Sequence, residues 1–177
     1  YKVLSCLKDR IYPLAWSAEH TLVYQILNKA NTKCEVWQVD FSQPKLNNDH
    51  TKLFDCDSTK VISADIATAD NQLIYSKYGY RGKSNLSALA SRDLSSGEEF
   101  QISSPNTELR GDYFVTLSTD QQQVVFLRTQ QGKTEIFIAN KNGSEQIKLH
   151  SVDYVIRSLQ FNNLSTKLLW FNTLKNS

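Results

Sequence analysis

Short apolar runs, each ended by a polar turn, recur along this chain in a fixed order. Aligned on their first residues, Leu22-Val23-Tyr24, Leu73-Ile74-Tyr75, Val124-Val125-Phe126 and Leu168-Leu169-Trp170 repeat about every fifty residues. A polar turn precedes each run, at 17–21, 68–72, 119–123 and 163–167, and a further strand-like run precedes each turn, at 13–16, 62–66, 113–117 and 156–161. After polar loops at 28–33, 78–85 and 129–133 comes a third segment, Cys34 to Asp40, Leu86 to Asp93 and Thr134 to Asn140, whose side chains alternate in character. Alternation with a period of two fits a pleated strand and conflicts with a helix. A fourth segment closes each unit at 52–54, 99–102 and 146–149, and Ser96-Gly97 and Asn142-Gly143 supply residues suited to tight hairpin turns.

Four short antiparallel strands repeated at this period predict an all-β fold, a β-propeller built of WD-repeat-like blades. A β-sandwich with evenly spaced strands is the competing architecture, and the recurring order with recurring turn chemistry favours the propeller. The chain reads as one domain over 1–177, with units at approximately 10–56, 57–103, 104–150 and 151–177. Those are three full blades and part of a fourth, which cannot close a ring alone. With a start at Tyr1 and no methionine, the reading is a fragment or incomplete propeller, or one whose edges pair with another chain as a homodimer.

Composition narrows the function. With 40% hydrophobic and 21% charged residues, the chain has a globular content, and no apolar run approaches the roughly 20 residues of a membrane helix. The net charge of +2 is dispersed, so direct nucleic-acid binding is not expected.

The stretch Ser118-Thr119-Asp120-Gln121-Gln122-Gln123-Val124-Val125-Phe126 resembles the S-P-D-G-K-x-I-x-F turn and strand of TolB-like propeller repeats, and Thr134 to Ala139 resembles the following x-E-I-Y-V-x-D strand. In the other copies the motif's Asp is Ala18, Ala69 and Leu164, and its Gly is absent throughout. Repeats degenerate in this way resemble the periplasmic C-terminal part of CadC-like and ToxR-like winged-helix transmembrane transcriptional regulators. The resemblance implies a non-enzymatic sensory or protein-interaction domain on the periplasmic side of a bacterial inner membrane, tethered by a helix outside this segment. A TolB-type envelope scaffold and the gating propeller of a prolyl-oligopeptidase-like peptidase are the alternatives it leaves.

Candidate chemistry is sparse. His20, His50 and His150 read as solvated loop residues, without metal or catalytic spacing. Asp55, Asp57, Glu98, Glu99 and Asp120 fall at turns and strand ends, where turn hydrogen bonding accounts for them, as it does for the motif turn Ser118, Thr119 and Asp120. No catalytic residue, metal site or cofactor is expected. Cys6, Cys34 and Cys56 leave two pairings open, Cys34 with Cys56 and Cys6 with Cys56, or free thiols. Trp16, Tyr24, Trp37, Tyr75, Phe126, Phe137 and Trp170 are expected to pack between blades. The loop carrying Tyr78, Tyr80, Arg81 and Lys83, with two aromatics, two cations and two glycines, is the candidate contact for a protein partner or an anionic small ligand.

Overall fold

The polar-bounded apolar runs all form strands. The structure is a computed structural model that describes residues 9–17, 20–42, 50–56, 59–106, 110–162, 164 and 167–172. The first blade pairs β1 (Arg10–Trp16), β2 (Thr21–Leu27), β3 (Cys34–Asp40) and β4 (His50–Asp55) in chain order, every pair antiparallel. The second repeats this with β5 (Val61–Ala67), β6 (Gln72–Tyr78), β7 (Leu86–Asp93) and β8 (Glu99–Gln101). The third follows with β9 (Arg110–Leu117), β10 (Gln123–Gln130), β11 (Lys133–Asn140) and β12 (Ile147–Val152). A hairpin of β13 (Ile156–Phe161) and β14 (Leu168–Asn172) opens a fourth.

The first strand of each blade lies against the first strand of the next: β1 touches β5, β5 touches β9 and β9 touches β13. This inner layer makes the assembly a β-propeller of three blades and part of a fourth, and the described sheets do not close into a ring. A short parallel step, Leu86 beside Arg110 and Ser87 beside Gly111, joins the second and third blades.

Apolar clusters fill each seam. Val23, Val36, Leu73 and Tyr75 pack between the first two blades, Ile74, Leu89, Val124 and Phe126 between the second and third, and Val125, Leu127, Ile136 and Ile156 between the third and fourth. A middle blade is covered on both faces, so its central strands are buried almost throughout, as Leu73 to Ser76 and Val124 to Leu127 are. For the same reason β7 departs from the expected in-and-out alternation: Leu86 to Ser91 are all buried, with small Ser87, Ala88, Ala90 and Ser91 admitting neighbours on both sides.

The end blades have one neighbour each among the described residues, and this corrects part of the aromatic reading. Tyr24, Tyr75 and Phe126 are fully buried, but Trp16 is 59% exposed and Trp170 36%. Trp16 instead stacks on Phe41 with ring centroids 5.6 Å apart.

Two histidines also sit elsewhere than expected. His50 begins β4, with Nδ1 2.7 Å from the Tyr24 hydroxyl, and His150 lies inside β12, its ring 5.9 Å from that of Trp170. Backbone pairing to β3 and β11 carries these outer strands past their apolar residues, an extension that hydropathy does not mark. His20 does occupy a turn, at φ 70°.

The first blade is stapled by a disulfide between Cys34, which opens β3, and Cys56, just beyond β4, with Cα atoms 4.8 Å apart. A closed loop of this sequence separation, 22 residues, restricts the unfolded chain by about 3 kcal/mol in the loop-entropy account. With Cys56 so engaged, the pairing of Cys6 with Cys56 does not form; Cys6, like Asp57, lies outside the described residues.

Every inner strand carries one residue too many for its partner. Leu14, Ile62 and Arg157 are the unpaired residues in β1, β5 and β13, and Phe114-Val115 together oppose Phe126 in β9. Such bulges sharpen the local twist and re-aim side chains.

Candidate functional site

Antiparallel order puts the turns after each first and third strand at one end of the blades, and the connections after each second and fourth strand at the other. The two ends differ in chemistry.

At the first end, the turn face, side chains hold backbone. Ser118 Oγ accepts from the Gln123 N–H (3.0 Å) and donates to Asp120, which accepts from the Gln122 N–H (3.1 Å). These bonds to the charged form hold the Asp120 carboxyl below its ordinary value, Ser118 foremost. In three of these turns the residue whose N–H bonds back to the carbonyl of Ser17, Thr68 or Ser118 is left-handed: His20 at φ 70°, Asn71 at 51° and Gln121 at 59°. Gln121 stands where the family motif has its glycine. Gln121 also reaches the neighbouring blade, donating to Thr68 Oγ1 (3.0 Å) and accepting from the Ala69 N–H (3.1 Å), and Lys141 pairs with Asp70 across the same seam.

Just inside this face, the Asp65 carboxylate on β5 accepts the Leu117 N–H of β9 (2.8 Å) and faces Thr116 Oγ1 (3.4 Å). Burial is the leading influence on it and pushes its pKa up. The ends of the third strands repeat a further motif: Asp40 accepts from the Ser42 N–H (2.7 Å), and Asp93 from those of Ser95 and Ser96 (2.8 and 2.7 Å).

The opposite end, the cleft face, is open. One cleft of about 330 Å³ is lined by Thr59, Tyr78, Gly79, Tyr80, Arg81 and Gln101 among others. The sequence-predicted loop forms much of its wall. Tyr78 ends β6, Gly79 is left-handed at φ 89°, and the kinked turn Tyr80–Gly82, with Arg81 itself at φ 52°, holds Arg81 over the Tyr80 ring, 5.2 Å from its centroid. Lys83 follows in extended conformation and is not among the lining residues. Tyr78, Tyr80 and Arg81 are thus brought together, and Lys83 is not. The loop is a structured turn, because three left-handed positions, Gly79, Arg81 and Gly82, fold it back against Thr59.

Tyr78 also borders a second cleft of about 170 Å³ between the second, third and fourth blades. The second blade gives it Ile62, and the third gives Arg110, Tyr113 and Phe114. The fourth gives Val155, Ile156 and Arg157. The sequence reading missed this site, whose signal was the Arg110-Gly111 pair at a strand start. Arg110 takes φ 61° and Gly111 φ 70°. A Cβ on Gly111 would overlap the Ser87 carbonyl oxygen, so the parallel step requires glycine there.

Below this face Asp112, wholly buried, receives a two-pronged grip from Arg128, Nε at 2.6 Å and Nη2 at 2.8 Å, whose guanidinium lies 4.5 Å from the Phe137 centroid. Burial pushes the Asp112 carboxyl up against the pull of Arg128. Glu99 is engaged by Tyr75, Lys77 and Arg92, and Asp55 by Lys52 at 2.7 Å. No cluster of three metal-ligating side chains occurs among the described residues.

No protein-family model matches the chain, and no curated protein sequence does. Solved structures do share its fold. A chain of the nidogen/laminin complex superposes with a TM-score of 0.74 at 8% identity, over 96% of this chain and 59% of that one. TolB from Acinetobacter baumannii gives 0.72 at 11%, over 96% and 39%. Prolyl oligopeptidase B from Galerina marginata gives 0.68 at 11%, over 94% and 23%. The chain spans less than two thirds of each, and at these identities the likeness establishes a TolB-like propeller fold.

Proposed function

We propose that this chain is a non-enzymatic sensory or protein-interaction domain, the periplasmic part of a membrane-anchored transcriptional regulator of the kind its repeats resemble. A protein partner or small ligand binds the cleft face, and the altered association state passes through a membrane helix outside these residues to a DNA-binding domain. The observation that carries this reading is the pairing of two adjoining clefts on one face with half-buried aromatic and exposed cationic side chains. The Cys34–Cys56 disulfide supports an oxidising compartment such as the periplasm. The test is reporter transcription from the intact protein with Tyr80 and Arg81 changed to alanine. The expected result is loss of the signal response at unchanged protein level; an unaltered response removes the cleft loop from the mechanism.

The likeness to TolB and to a prolyl oligopeptidase favours a second reading, an envelope scaffold or the gating propeller of a peptidase. The intact gene product separates them: an upstream winged helix and one membrane span support the regulator, and a downstream hydrolase domain overturns it.

A further inference from the structure

The smaller cleft has the features of a built site. Three successive inner strands direct the irregular part of their bulges to it: Ile62 from β5, Phe114 from β9 and Arg157 from β13 all line it. Bulges that re-aim side chains gather next to functional sites. Two of the lining residues, Arg110 and Phe114, also hold left-handed backbone, at φ 61° and 51°. That conformation costs a side-chain-bearing residue on the order of 1 kcal/mol, and it persists where the surroundings enforce it. Here the enforcement is visible: the Arg110 N–H donates to the Asn85 carbonyl (3.1 Å), and its own carbonyl accepts from Ser87 Oγ.

The charge of the cleft is unbalanced. Salt bridges among the described residues engage Lys52, Lys77, Arg92, Arg128, Lys141 and Lys148, and neither Arg110 nor Arg157 is among them. The buried carboxylate nearest in sequence to Arg110, Asp112, is already held through both oxygens by Arg128. Arg110 and Arg157 therefore border a hollow otherwise lined by aromatic and aliphatic side chains and Ser87, with no acid of the described residues in an ion pair with them. Arginine presents a planar fork matched to a carboxylate, and the remaining walls suit a small apolar body.

We propose that the cleft bounded by Ile62, Tyr78, Phe114 and Ile156, with Arg110 and Arg157 at its rim, binds a small organic acid whose carboxylate is carried on a compact apolar body. This assignment names the ligand chemistry of the cleft face and stands whether or not the chain belongs to a regulator. The test is titration of the intact protein with benzoate, and with its neutral isostere benzamide, followed by calorimetry. Benzoate is expected to saturate the protein while benzamide does not. Arg157→Ala is expected to weaken benzoate at least about tenfold at unchanged thermal stability, and Arg157→Lys to restore only part of the loss. Arg110→Gly separates binding from folding: it relieves the left-handed strain and should raise stability while binding falls. Equal affinity for benzamide, competition by inorganic phosphate at matching concentration, no saturable benzoate binding, or undiminished affinity in both Arg157→Ala and Arg110→Gly would each overturn the proposal.

Discussion

The two ends of the blades differ in what their polar side chains do. At the turn face, Asp120, Asp93, Asp40, Gln121 and Lys141 are each committed to a backbone amide or a neighbouring blade. At the cleft face, Arg81, Arg110 and Arg157 border hollows without an acidic partner among the described residues. Side chains of the turn face, Gln121 and Lys141, tie the second blade to the third. At the other end, loops carried on a rigid scaffold are where binding residues concentrate.

The sharpest way to break this contrast is to change arginines that differ only in their partner. Arg128→Ala strands the wholly buried Asp112 carboxylate and is expected to cost about 3–5 kcal/mol, whereas Arg157→Ala should stay within about 0.5 kcal/mol; urea unfolding of the two variants measures the difference. Next in size is Gly111→Ala. It sets a methyl group against the Ser87 carbonyl and a side chain at φ 70°, for an expected loss of about 2–4 kcal/mol and a rearranged small cleft. At the turn face, Gln121→Ala should cost about 1 kcal/mol by removing its two bonds to the second blade. Gln121→Gly should lie closer to neutral, because relief of the φ 59° strain offsets that loss.

The smallest effect concerns pH and the seam carboxylate Asp65. Its folded pKa lies above the ordinary value of 3.8. Its contribution to stability is therefore fully present below that ordinary value and is lost as pH rises through the raised folded value. Relative to Asp65→Asn, the native protein should gain stability as pH falls from about 7 to about 4, read as the difference between two melting curves. A native protein that loses stability relative to Asp65→Asn on acidification would remove Asp65 from the seam as described.

Much of this architecture is visible in the amino-acid order, because a blade strand must alternate or run apolar and its turns need specific residues. The runs at Leu73 and Val124 sit on β6 and β10. The motif around Asp120 marks a turn whose side chains do what the motif implies. Less legible are features fixed by a distant partner. Gln121 occupies a glycine's conformation since its amide is repaid by Thr68 and the Ala69 N–H, a blade away. Trp16 resembles a core residue until the absence of a covering blade among the described residues is seen. The loop at Tyr78 stood out because aromatics, cations and glycines coincide within it. Arg110 and Arg157 did not, since only the left-handed start of β9 and the bulge in β13, far apart in sequence, bring both to one cleft.

Hydrogen exchange of the intact protein, free and saturated with benzoate, bears most directly on the assignment of recognition to the cleft face. The account predicts slowed exchange within 78–83, 110–114 and 155–157, with 118–122 and 141–146 unchanged. Protection confined to the turn-face segments, or none on the cleft face, would contradict it.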